Sequence, residues 1–133
     1  MMTFIEAVET CMIKKWSTIS GRASRSEYWW FTLFITIAGF AIGIVCVLLA
    51  VAMAAKENYA VLFGAMLGLL GIMFTVVILP PSICVSVRRL HDIGRSGWWY
   101  LINAVPYIGG IVFFIFTLLP SQPEENEYGS YAG

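Results

Sequence analysis

The residues with most chemical potential fall in one stretch, RRLHDIGRSGWWYL at 88–101. There Arg88, Arg89, Asp92 and Arg95 surround His91, the chain's single histidine, and run directly into Trp98-Trp99. A second stretch, GRASRSEYWWF at 21–31, echoes it, with Arg22, Arg25 and Glu27 ahead of Trp29-Trp30. Two kinds of chemistry suit this pattern. The first is anion binding: guanidinium forks match phosphate geometry, helix starts at Ser24 and Ser96 offer free N–H groups, and indoles support a guanidinium face. A lipid headgroup or phosphate compound would then be held by Arg22, Arg25, Arg88, Arg89 and Arg95, with His91 alongside. The second is structural. Glu27 and Asp92 would satisfy the arginines, Asp92 reaching Arg88 at i, i+4, and the tryptophans would anchor helix ends at the membrane interface. Five arginines against two carboxylates leave a positive surplus that must meet water, lipid phosphate, the tail or a partner.

Catalysis finds little support in the residues. His91 and Asp92 are sequence neighbours, and neighbours on a helix do not face each other. There is no second histidine and no paired-cysteine spacing for zinc, no glycine-rich phosphate loop and no G-x-S-x-G elbow. No catalytic residue, metal ligand or cofactor is therefore assigned, and the basic residues are too few for nucleic acid. A pH-sensing role for His91 is disfavoured by its arginine neighbours, which oppose the charged form. Cys11, Cys46 and Cys84 are odd in number and make no disulfide framework; two lie in apolar segments, where a free cysteine packs as a small hydrophobe.

The elements that must position these residues are membrane elements. Hydrophobic residues make up 59% of the chain and charged residues 12%, roughly half the charged share of a typical soluble domain. Residues 28–55, 59–87 and 98–122 are free of charge, and each run exceeds the roughly 20 residues that cross a bilayer as a helix. The expected fold is all-α: one polytopic membrane domain with three transmembrane helices at 28–55, 59–79 and 98–119. Pro80-Pro81 should end or kink the second span, leaving 81–93 as a separate interfacial helix begun by proline and stopped by Gly94 in a left-handed conformation. The third segment is broken by PYIGG at 106–110, and two forms stay open: a kinked span or a re-entrant hairpin.

The first span opens on SRSE, 24–27, the pattern of a capping box. Ahead of it, 3–16 reads as an amphipathic helix on the membrane surface, with Phe4, Val8, Cys11, Met12 and Trp16 on one stripe. Gly39 with Gly43, and Gly64 with Gly68, form small-residue ridges. They suit contact between the first two spans or between two copies of the chain.

Lysine and arginine set the expected orientation. Lys14, Lys15, Arg22 and Arg25 precede the first span and Arg88, Arg89 and Arg95 follow the second, whereas the connection at 56–58 has only Lys56. The N-terminus and the arginine cluster are thus expected inside and the 56–58 loop outside. No cleavable signal peptide is expected, because the first apolar run is too long for one. With three full spans the acidic tail, 120–133, lies on the periplasmic side; a re-entrant hairpin returns it to the cytoplasm. Its two prolines and three glutamates predict a flexible segment.

At these residues the chain resembles the small bacterial inner-membrane proteins classed as domain of unknown function 805. The resemblance rests on Gly21-Arg22, Arg25 and Glu27-Tyr28-Trp29, then Arg89-Leu90-His91-Asp92, Arg95-Ser96 and Trp98-Trp99. Pro106 with Gly109, Glu125-Asn126 and Tyr128-Gly129 also match. It implies a bacterial inner membrane and a polytopic helical fold, and it brings no established activity. The match at the tail implies that PEENEYG has a fixed role, which favours the re-entrant form. The expected function is that of a structural, interaction or regulatory module. Its expected partners are the lipid bilayer, anionic lipids included, and either a second copy or another membrane protein.

Overall fold

A computed structural model describes residues 1–54 and 60–132. The order of elements is α1 (Phe4–Glu9), a π-helical turn (Thr10–Lys14), α2 (Arg25–Ala54), α3 (Ala60–Asp92), a 3-10 helix (Gly97–Ala104) and α4 (Ile108–Leu118). The loop expected at 56–58 lies outside the described residues. The chain divides into two compact units, Leu33–Leu79 and Met1–Thr32 with Pro80–Gly133.

The unit Leu33–Leu79 carries the apolar lengths of α2 and α3, the two helices long and apolar enough to cross a membrane. Its described residues are uncharged, and Phe40, Val47, Leu69 and Ile72 stand exposed. That distribution suits lipid as solvent, because lipid tails are as apolar as the side chains. Ala41, Ile42, Val45, Cys46 and Leu49 of α2, with Leu67 and Leu70 of α3, line a cleft of about 330 Å³. The glycine ridges make no close contact within the chain: a Cβ added at Gly39, Gly43, Gly64 or Gly68 meets nothing within 4 Å. Spacing sets a ridge on a helix, but the rotation of that helix decides which ridge is covered.

The second unit reverses the pattern, with charged residues inside. Its apolar core is Ala7, Cys11, Ala23, Phe31, Val85, Leu90 and Phe113. In α1, Thr3 and Glu6 form a reciprocal capping box, the Glu6 carboxylate accepting from Thr3 N–H at 2.8 Å. The π-helical turn that follows shifts the helical register. Ala7, Thr10 and Cys11 are buried, so of the expected stripe only Cys11 is fully covered; Val8 and Met12 are half-buried and Phe4 and Trp16 are exposed.

Half of the expected capping box holds the start of α2: the Ser24 hydroxyl accepts Glu27 N–H at 3.2 Å, while the Glu27 carboxylate turns to Arg88 and Cys11. Of the two outcomes expected at Pro80-Pro81, an end or a kink, the helix does not end: α3 continues through both prolines to Asp92. Each proline removes one backbone donor, and the buried packing of Cys84, Val85, Arg88, Arg89 and Leu90 holds the helix beyond them. At its end, Gly94 N–H donates to His91 O at 3.0 Å and Arg95 N–H to Leu90 O at 2.9 Å. With Gly94 at φ +71°, this is a Schellman stop.

The third apolar segment is not one long helix but a hairpin of the 3-10 helix and α4. Its helix α4 has 11 residues, about 16 Å at a rise of about 1.5 Å per residue, half of the roughly 30 Å of hydrocarbon. The chain reverses at Tyr107, which has φ +64°. There Ile108 N–H reaches Pro106 O at 2.7 Å, the i to i+2 bond of a γ-turn. Both ends of the hairpin return to the same length of α3. A Cβ on Gly97 would lie 2.7 Å from Val87, and the Thr117 carbonyl accepts from Arg89. The tail that follows packs against the arginine cluster, its carbonyls meeting Arg22.

Candidate functional site: a buried arginine network

Arg22, Arg88 and Arg89 are all buried, as are Glu27, His91 and Asp92. A buried guanidinium must find acceptors for its five N–H donors or lose several kcal/mol of solvation. The turn before α2 delivers Arg22, the first turn of α2 delivers Glu27, the sides of α3 deliver the others, and Ala23 N–H bonded to Arg88 O at 3.0 Å ties the two together.

Asp92 is the hub of the network. Its Oδ1 accepts from Arg22 Nε at 2.9 Å and its Oδ2 from Arg89 Nη1. The expected Asp92–Arg88 pair is thus replaced: Asp92 takes Arg89 at i, i+3 and Arg22 from across the fold. Arg88 pairs with Glu27. The i, i+4 rule describes an isolated helix surface, and here both side chains turn inward to partners 61 and 70 residues away.

The remaining donors of Arg22 go to main-chain carbonyls, as do those of Arg89 apart from a 3.5 Å contact of Nη1 with Ser121 Oγ. Arg22 Nη1 donates to Glu124 O at 2.8 Å and Gly129 O at 3.2 Å, and Nη2 to Gln122 O at 2.6 Å and Asp92 O at 3.3 Å. Arg89 donates to Thr117 O at 3.3 Å and to Leu119 O. These carbonyls at the C-terminus of α4 have no intrahelical donor, and a cation there also opposes the helix dipole. Arg89 therefore closes α4, and Arg22 fastens the tail.

The tail is an ordered strap, not the flexible segment its composition suggested. Gln122 N–H donates to Asp92 O at 3.0 Å. Asn126 forms a tight turn with Gly129 and gives its side-chain amide to His91 O at 3.0 Å. Tyr128 stacks on the His91 ring at 3.9 Å, with 5° between the planes. His91 Nδ1 lies 3.2 Å from Gly21 O, so one residue joins α3, the turn before α2 and the tail. Composition missed this because the strap is fastened through main-chain carbonyls, which every sequence possesses.

Cys11 is a partner the sequence gave no sign of. Its Sγ lies 3.7 Å from Glu27 Oε1 and 3.7 Å from Arg88 Nη2. Burial, and then the negative charge of Glu27, push its thiol up to about 12. It is a protonated donor to the carboxylate at neutral pH and not a nucleophile. Arg88 Nε is the one buried side-chain nitrogen or oxygen with no hydrogen-bond partner among the described residues.

The other two cluster arginines stand apart. Arg95 is exposed and lies over Trp99 at 5.4 Å and Phe116 at 5.9 Å. Arg25 is exposed and makes no ion pair among the described residues. The echo between the two arginine stretches thus hides different roles: Arg22 is internal and Arg95 is on the surface. Of the aromatic anchors, Trp29 meets Phe114, Trp30 meets Phe4 and Trp99 meets Phe116, all edge-on, while Trp98 is 79% exposed. Among the described residues no group of histidine, cysteine, aspartate and glutamate is arranged to hold a metal ion.

Comparison with known proteins gives a consistent picture. Residues 16–130 match the family described as "Protein of unknown function (DUF805)". The chain is similar to the inner membrane protein YhaH of Escherichia coli K12, at 32% identity over 89% of this chain and 89% of the relative. It is similar also to the inner membrane protein YhaI of the same strain, at 33% identity over 90% of this chain and 89% of the relative. No solved structure matches. The family match spans every member of the arginine network except Cys11, and it includes the strap.

Proposed function

The chain belongs to the DUF805 family of inner-membrane proteins, and from that premise we propose that it is a membrane-embedded interaction module and not an enzyme. The observation that carries this reading is the saturation of Arg22: all its donors are engaged by Asp92 and by main-chain carbonyls. Arg89 is engaged in the same way. Charges committed to the protein's own carbonyls build a rigid platform and leave little for substrate. The apolar lengths of α2 and α3 then present side chains to lipid or to a membrane partner.

The platform faces the cytoplasm in this reading. Lys14, Lys15 and the five arginines all belong to the unit that contains it, and Lys56 alone is in the other. With two crossings the N-terminus and the strap share that side. A reporter that fluoresces only in the cytoplasm is expected to be active at either terminus, and activity at the N-terminus alone would restore the third crossing.

Exchange of the buried Glu27–Arg88 pair tests the module reading. A well-packed apolar pair often replaces a buried ion pair without loss of stability. The double variant Glu27→Met, Arg88→Leu is expected to fold and to retain the membrane contacts recorded by a photo-crosslinker at Phe40. A double variant that folds and docks its strap but loses those crosslinks would assign the charges a direct role instead.

A further inference from the structure

The network leaves charge unbalanced. Among the described residues Arg22, Arg88 and Arg89 pair only with Glu27 and Asp92, so one positive charge within the network lacks a carboxylate. Arg25, exposed and without an ion pair among the described residues, adds a second. Between Arg25 and the C-terminal end of α4 lies a groove of about 660 Å³, within the usual range for small-molecule sites. Trp29, Trp30, Leu118 and Pro120 give it apolar walls, and Arg25 and Ser121 give it polar ones. Ser121, on the groove wall, also reaches the network: its Oγ is 3.5 Å from Nη1 of the buried Arg89.

We propose that this groove binds an anionic phospholipid of the bilayer. The headgroup phosphate lies at Arg25 and Ser121, and the start of the acyl chains lies along Trp29, Trp30 and Leu118. Three properties select this occupant. A guanidinium with no internal partner offers paired donors to a phosphate. Indole rings favour the level where headgroups meet hydrocarbon. An amphiphile alone satisfies a groove that is cationic at one part and apolar at another, in a chain whose helices are solvated by lipid. The start of α2 does not supply the site, since the Ser24 hydroxyl already accepts Glu27 N–H and the Ser26 hydroxyl accepts Met2 N–H. The inference moves anion binding from the five-arginine set to Arg25, the member that lines a groove. It does not depend on the module reading.

Native mass spectrometry of the full chain, released from micelles containing equal phosphatidylglycerol and phosphatidylcholine of the same acyl chains, tests it. Wild type is expected to retain phosphatidylglycerol about tenfold over phosphatidylcholine, a difference of about 1.4 kcal/mol. Arg25→Gln removes an exposed, unpaired group, so the protein folds; the preference is expected to vanish. Leu118→Trp fills the groove with its charges intact and should lower retention of phosphatidylglycerol as well. Arg95→Gln, which removes the exposed arginine stacked on Trp99, should change nothing. Equal retention of both lipids by wild type overturns the proposal, as does an Arg25→Gln variant that keeps the preference. Equal losses in the Arg25 and Arg95 variants would reduce the effect to general surface charge and overturn it too. Millimolar inorganic phosphate should not displace the lipid; displacement would assign the site to free phosphate. Failure here leaves the Phe40 crosslinks, and with them the module reading, untouched.

Discussion

Asp92→Ala is expected to release the strap and destabilise the fold by about 3–5 kcal/mol, the usual consequence of stripping one partner from a buried ion pair. The effect belongs at the top of that range because one carboxylate serves two guanidiniums, Arg22 and Arg89. Neither has room to turn to water. Arg22 holds the strap carbonyls and Arg89 holds the end of α4, so both attachments loosen together. Asp92→Asn separates charge from shape. It keeps the volume and one acceptor oxygen but sets an amide donor against a guanidinium donor, and should fall between wild type and Asp92→Ala. Cleavage of the strap at Glu124, Glu125 and Glu127 by a glutamate-specific protease, read beside thermal unfolding in micelles, reports both effects. Wild-type protease resistance in Asp92→Asn would mean that the strap is held by its carbonyl bonds alone and that the carboxylate matters little.

Gly109→Ala is the second large effect, and its neighbour is the control. A Cβ at Gly109 would sit 1.8 Å from the Ile102 carbonyl oxygen and 2.8 Å from its carbon. These are backbone atoms of the opposing arm and cannot swing aside as a side chain would. Overpacking of this kind typically costs about 1–3 kcal/mol, and a rigid backbone contact belongs at the upper end. The hairpin must open, and Thr117 and Leu119 then leave Arg89. At Gly110 the same substitution meets nothing within 4 Å. There alanine gains helix propensity, up to about 1 kcal/mol. Thermal unfolding of the two single variants should therefore move in opposite directions. A similar loss in both would mean that the tight contact of the hairpin arms is not what holds the third segment.

The contrast between these adjacent glycines marks what sequence can say. IGG at 108–110, within PYIGG, announces a break in an apolar run. Which glycine touches the opposing arm depends on where the hairpin closes, a distance between chain segments that no local pattern encodes. The same division runs through the arginine cluster. Sequence alone placed the charged residues beside the ends of apolar runs, paired them with Glu27 and Asp92 as a group, and identified Gly94 as a stop, because each of these follows from local periodicity or backbone conformation. The family resemblance marked the tail.

By itself, then, the sequence determined the solvent of this protein, the all-helical class, its two long apolar helices and the positions of its polar ends. Those depend on composition and on repeats of a few residues, and lipid penalises any alternative. Tertiary structure decided which arginine meets which carboxylate, that α3 continues through Pro80-Pro81, that the third segment turns back, and that the acidic tail is a strap. Each of these depends on contacts between residues tens of positions apart, most of them to main-chain carbonyls. Because every residue carries the same carbonyl, only the fold selects the ones that Arg22 and Arg89 bind.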